Sequence, residues 1–211
     1  MKKIISACLA FFMGVLCFTA CSVSVPSKSS SLTPIARGTV NGNVYQSSFT
    51  GLTVTLPDGW FVSDDAAIEQ IMGLEAGTLT DSKDASQYSK AALTAQGIYD
   101  LLATNKSTGT TLAVCIEDLE IISDSADTTV EGYLDILRSK LDHEEITCYY
   151  GDQTVTTLCG NEYMVLPFSY ESPSGTSKQI YCVRKVDNFI ITVRMISLYN
   201  MEVTELEAFF A

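Results

Sequence analysis

Apolar and polar residues alternate at Leu52-Thr53-Val54-Thr55-Leu56, the period of a strand with one buried face. Pro57-Asp58-Gly59 closes that run with turn chemistry before Trp60-Phe61. Ser63 is placed to cap a helix. Asp64 and Asp65 would sit in its first turn, against the positive end of the helix dipole, with Ile68, Ile71 and Met72 on one stripe and Gly73 and Gly77 at its end. From Thr78 to Gln96 no period holds, and this segment is expected to be a loop with some helix. Ile98 to Ala103 and Thr111 to Ile116 flank the turn residues Asn105 to Gly109, which predicts a hairpin with Leu112, Val114 and Ile116 facing the core. Thr128 and Glu131 have the spacing of a capping box, and Val130, Tyr133, Leu134, Leu137 and Leu141 follow on one helical face. Five strand-like runs come next: Ile146 to Tyr150, Gln153 to Leu158, Glu162 to Tyr170, Lys178 to Val186 and Phe189 to Ile196. Their short connections require antiparallel neighbours, because a parallel crossover needs about a dozen residues. Val203 to Phe210 predicts a short terminal helix packing Leu206 and Phe210 on the sheet. The sum is an α+β domain with one antiparallel sheet of about six or seven strands.

The chain opens with Met1-Lys2-Lys3 and an apolar run from Ile4 to Phe18, followed by Thr19-Ala20-Cys21. That order is a secretory signal, and the run is shorter than the roughly 20 apolar residues of a spanning helix. Phe18-Thr19-Ala20-Cys21 resembles the bacterial lipobox, in which the cysteine is acylated and becomes the first mature residue. The resemblance implies a signal peptide over residues 1–20, lipid (palmitate among it) on Cys21, and attachment to the extracytoplasmic face of the cell membrane. Two acyl chains hold stably where one does not. Residues 21–38 are rich in Ser and Pro with little apolar content, a composition expected of a flexible tether. Residues 39–211 then form one domain.

Charge narrows the partners. The chain holds 13 Lys and Arg against 25 Asp and Glu, and without Lys2 and Lys3 the count is 11 against 25, a net charge near −14. A nucleic-acid binder needs a basic footprint, and nothing here clusters Lys or Arg into one. Cys115, Cys148, Cys159 and Cys182 remain once Cys8 and Cys17 leave with the signal and Cys21 takes lipid. Four cysteines in an exported domain permit disulfides in three connectivities, while Cys115 and Cys182 also fit strand cores as small apolar residues.

Phe49-Thr50-Gly51-Leu52-Thr53-Val54-Thr55-Leu56-Pro57-Asp58-Gly59-Trp60 resembles the opening of PsbP and Mog1-type domains. It is also similar to a large group of lipoproteins of gut Firmicutes, in which such an entry follows a serine-rich tether. The resemblance implies an α/β/α sandwich around a central antiparallel sheet. It tilts the expectation towards accessory, non-enzymatic work, since members of that fold are assembly or stabilising factors and a GTPase regulator. No partner-binding residue of those proteins carries over.

Candidate chemistry is sparse. No GxSxG, HExxH, P-loop or dinucleotide glycine pattern occurs, and His143, at a helix end, is the single histidine. No CxxC pair supports zinc, and no cofactor is expected. The acidic residues Asp118, Glu120, Asp124 and Asp127 lack the order of a calcium loop and are expected to be a solubilising loop before the helix. A carboxylate pair can perform acid and base chemistry without histidine, but the spacing of Glu117, Asp118 and Glu120 does not distinguish such a pair from a solvated strand edge. Trp60, Tyr149, Tyr163 and Tyr170 are the candidates for a ligand or partner surface, set against ordinary sheet packing of aromatics. Two functions follow as expectations: a membrane-tethered binding or assembly module for another envelope protein, or a small-molecule or peptide receptor with an aromatic-lined pocket.

Overall fold

A computed structural model describes residues 35–79, 97–123, 125–143, 147–172 and 175–210. The signal segment, Cys21, most of the predicted tether and residues 80–96 of the predicted loop lie outside them.

Eleven strands and four helices are described. A first hairpin, β1 (Thr39–Asn41) and β2 (Val44–Ser47), pairs with β3 (Leu52–Thr55) in a three-stranded sheet. After β4 (Trp60–Val62) comes helix α1 (Asp65–Met72). The strands β5 (Gly97–Asn105) and β6 (Thr111–Asp118) form the predicted hairpin, followed by the short α2 (Leu119–Ile122) and the long α3 (Val130–His143). Then come β7 (Cys148–Tyr150), β8 (Thr154–Leu158), β9 (Asn161–Ser172), β10 (Gly175–Val186), β11 (Phe189–Ser197) and α4 (Val203–Glu207). The larger sheet runs β4-β5-β6-β11-β10-β9-β7, with β8 also on β9, and every pairing is antiparallel.

The predicted sheet of six or seven strands is therefore corrected to eight, with β3 in a separate sheet beside β1 and β2. Those two strands escape notice because β1 is wholly exposed and β2 buries only Tyr45 and Ser47, so neither shows an apolar run. The chain also meets the domain before residue 39: Ile35 is fully buried and Arg37 pairs with Asp65 at 2.5 Å. The end of the segment expected as tether thus belongs to the fold.

Helix ends differ slightly from expectation. Asp64, not Ser63, caps α1, its carboxylate accepting the Ala67 N–H at 2.8 Å, and Gly73 ends the helix. At α3 the Thr129 hydroxyl accepts the Gly132 N–H, one residue later than the predicted Thr128 cap. In α4, Leu206 is fully buried as expected, and Phe209 is buried more deeply than Phe210.

Side-chain alternation along β9, β10 and β11 sends apolar groups to both faces of the larger sheet. On one face Tyr163, Val165, Ile180, Cys182, Ile191 and Val193 meet residues of the small sheet, α1 and α4. On the other, Leu166, Phe168, Tyr181, Val183 and Ile190 meet Leu119 of α2 and Tyr133, Leu134 and Leu141 of α3. At the outer edge of β9 the register slips by one residue between Tyr150 opposite Phe168 and Thr154 opposite Val165. Pro167 stands at the slip, its carbonyl accepting the Gly151 N–H at 2.9 Å. Proline brings no N–H to a ladder, so the edge strand is divided there into β7 and β8.

Candidate functional site

Charged residues inside apolar strands must be paired or shift their ionisation. Arg194 on β11 is 2% exposed. Its Nε donates to Thr192 Oγ1 at 2.9 Å, its NH2 donates to Glu117 on β6, and its guanidinium lies 4.9 Å from the centre of the Tyr181 ring. Glu117 also accepts the Tyr133 hydroxyl of α3 at 2.5 Å. Burial opposes the charge on Arg194, but Cys115, Glu117 and the neighbouring tyrosines hold it protonated well above the ordinary value. Burial first, and Glu117 second, push the Tyr133 phenol far up. The result is a neutral, internally bonded cluster that ties α3 to the sheet. Such a set fixes geometry and offers no free acid or base to a substrate.

A second polar cluster lies on the opposite face. Asp100 occupies an irregularity in β5, where the register shifts between Tyr99 and Leu101. Its carboxylate accepts the Tyr45 hydroxyl at 2.5 Å and the Gly38 N–H at 3.0 and 3.1 Å. The approach requires glycine at 38, since a Cβ there would fall 2.2 Å from the Tyr45 ring. Glu69 acts similarly on the chain after α1, its buried carboxylate accepting the Gly77 and Leu79 N–H groups at 2.9 and 2.6 Å. Both carboxylates clasp backbone.

The four aromatic candidates do not form one surface. Trp60 is half-buried on the edge strand β4, edge-on to Phe209 with ring centres 5.1 Å apart. Tyr163 and Tyr170 are both buried on β9, but an odd residue separation along a strand puts them on opposite faces. Tyr149, 59% exposed, stands on β7 at the other edge of the sheet from Trp60. On β8, Val155 is 61% exposed, but its partner Met164 and the Tyr149 partner Ser169 are five residues apart on β9, so the two exposed side chains stand on opposite faces of the edge.

The remaining candidates also find structural settings. Asp118 caps α2 by accepting the Glu120 N–H at 2.8 Å, and burial raises its pKa. The Glu120 carboxylate accepts the Asn188 amide. Asp124 lies outside the described residues. Among the described residues no three His, Cys, Asp or Glu side chains converge as metal ligands, and no helix is long and apolar enough to cross a membrane. No disulfide joins Cys115, Cys148, Cys159 and Cys182. Burial pushes Cys115 and Cys182 up to about 12. Cys159 occupies a left-handed position (φ 49°) with Gly160 (φ 76°) in the two-residue turn between β8 and β9, a place where Asn-Gly is usual. Its thiol meets both the N–H and the carbonyl of Thr53 at 3.3 Å and so covers the outer edge of β3.

No protein-family model matches the chain, and no curated protein sequence matches it. Among solved structures, the chain is similar to the solution structure of cyanobacterial PsbP (CyanoP) from Synechocystis sp. PCC 6803. The TM-score is 0.47 at 13% identity, over 88% of this chain and 93% of that one.

Proposed function

We propose that the chain is a lipoprotein tethered through Cys21 to the extracytoplasmic face of the cell membrane, and that its domain is a non-enzymatic binding or assembly module for another envelope protein. The domain is read as a PsbP/Mog1-like α/β/α sandwich, on the Gly51-to-Trp60 entry and the order of elements that follows it. The observation that carries the binding role is the exposure of Tyr149 on the outer strand β7, with Val155 exposed on the opposite face of the same divided edge. Large apolar groups on an outer strand are costly to leave in water and are the common anchors of protein interfaces. The charged side chains inside the fold support the same reading, since Glu117, Arg194 and Asp100 are committed to internal bonds.

The test is in-cell crosslinking from a photoreactive residue at position 149, comparing the anchored protein with a Cys21→Ala form. Recovery of one envelope protein from the anchored form alone is the expected result. An equal yield from both forms would defeat the reading. The alternative, a small-molecule or peptide receptor, loses its shared aromatic groove but draws support from a different cluster, described next.

A further inference from the structure

Of the arginines among the described residues, one lacks a carboxylate partner. Arg184 of β10 is half-exposed, makes no ion pair among the described residues, and uses its five N–H groups on a single long contact, 3.4 Å from NH1 to the Thr50 carbonyl. Beside it on β9, one step beyond the last matched pair of Val183 and Met164, stands Tyr163. Its ring lies 5.9 Å from the Arg184 guanidinium. Tyr163 is 0% exposed, and its hydroxyl lies close to the Arg184 guanidinium, which can only donate, so the hydroxyl hydrogen has no acceptor among the described residues. Burial pushes this phenol up to about 12 although Arg184 pulls it down. A buried donor left without an acceptor costs about 1–3 kcal/mol, so its presence here calls for a reason.

Two turns complete the surroundings. Asn161, on the same face of β9 as Tyr163, spends one Nδ2 hydrogen on the Cys159 carbonyl at 3.2 Å, leaving the other. Gly51 in the β2–β3 turn has φ +68°, and a Cβ there would lie 3.3 Å from Asn161 Nδ2 and 4.0 Å from Arg184 NH1. The turn therefore approaches as closely as a residue without a side chain allows. The carboxylate of Glu207 lies on the β8 side of Tyr163, where it accepts the Thr156 hydroxyl.

We propose that Arg184, Tyr163 and Asn161 form a binding site for a carboxylate. The guanidinium fork matches a carboxylate in plane and spacing, and the two neutral donors add directed bonds to the same ligand. Tyr163 gains the acceptor it lacks. A single cation in a chain of net charge −12 suits one negative charge and disfavours a phosphate dianion. The site lies away from the β7–β8 edge and does not depend on the tethered-partner reading.

The test titrates the full chain with acetate, triglycine, triglycine amide and inorganic phosphate, following the Arg184 Nε and Gly51 amide signals by NMR. Acetate and triglycine are expected to shift both signals saturably, and the amide to shift neither. A tenfold preference for triglycine would assign the site to peptide C-termini, and equal binding to free small carboxylates. Arg184→Gln should weaken binding at least about tenfold. Tyr163→Phe keeps the ring in the core, so the fold is preserved, and should weaken it about three- to tenfold. The proposal is overturned by an absence of saturable shifts at about 100 mM acetate, by binding unchanged in Arg184→Gln, or by phosphate binding more tightly than acetate.

Discussion

Replacing Glu117 by Leu strands Arg194 in the interior. The guanidinium would keep Thr192 and the Tyr181 face but lose its counter-charge, and the Tyr133 hydroxyl would lose its acceptor at the same stroke. With Arg194 2% and Glu117 13% exposed at the side chain, the pair lies far from the surface regime worth about 0–1 kcal/mol. Removing one partner of a buried pair costs about 3–5 kcal/mol. For a domain of this size each kcal/mol moves the melting temperature by about 2–4 °C, so Glu117→Leu should melt roughly 6–20 °C lower. The decisive measurement is a double-mutant cycle in urea with Arg194→Met. The double variant should recover most of the loss, because no unpaired charge then remains, giving a coupling of at least about 2 kcal/mol. Additive losses, or a cost below about 1 kcal/mol for Glu117→Leu alone, would refute the account of this cluster.

Gly38→Ala should destabilise by about 1–3 kcal/mol, read by thermal unfolding, because its Cβ must displace the fully buried Tyr45 and the Asp100 carboxylate 2.9 Å away. Phe209→Ala should cost about 3–5 kcal/mol and shift Trp60 fluorescence to the red, since Phe209 covers the indole. Cys115 and Cys182, raised from 9.0 to about 12, stay protonated longer in the fold than in the unfolded chain. Their contribution is complete below about pH 9 and is lost as pH climbs towards about 12, so stability should fall over that window. Cys182→Ala should flatten the fall measured by urea unfolding, and iodoacetamide at pH 8 should label Cys148 and Cys159 well before the other two.

Where burial leaves a periodic trace, the fold is legible in the amino-acid order: the β5–β6 hairpin, α3 and the strands from β7 to β11 all follow from alternation or helical spacing. The strands β1 and β2 leave no such trace, because the exposed Thr39-Val40-Asn41 pairs by backbone alone. The four aromatic candidates failed as a group for a related reason. Composition counts tyrosines on a strand without saying that Tyr163 and Tyr170 point apart. A signal did exist for the clusters that were missed: Asp100 interrupts Ile98-Tyr99-Leu101-Leu102, and Arg194 interrupts Ile191-Thr192-Val193-Met195-Ile196. A lone charge inside a run bound for the interior demands a partner. What the order of residues withholds is which partner, since Glu117 lies 77 positions from Arg194 and Gly38 lies 62 from Asp100.

The bond between Gly38 and Asp100 also decides how the molecule carries load. Tension applied from the N-terminal side reaches Ile35, the Arg37–Asp65 pair and Gly38 before it reaches β1. It passes through the Asp100 side chain into β5, which is paired with β6 on both sides of that irregularity and with β4 at Ala103 to Asn105. Without that shortcut the pull would fall on β1, a three-residue strand held by β2 alone, and would unzip the small sheet one pair at a time. The clasp works as a strain relief, leaving the hairpin and the β2–β3 turn slack while the chain ahead of them is under tension.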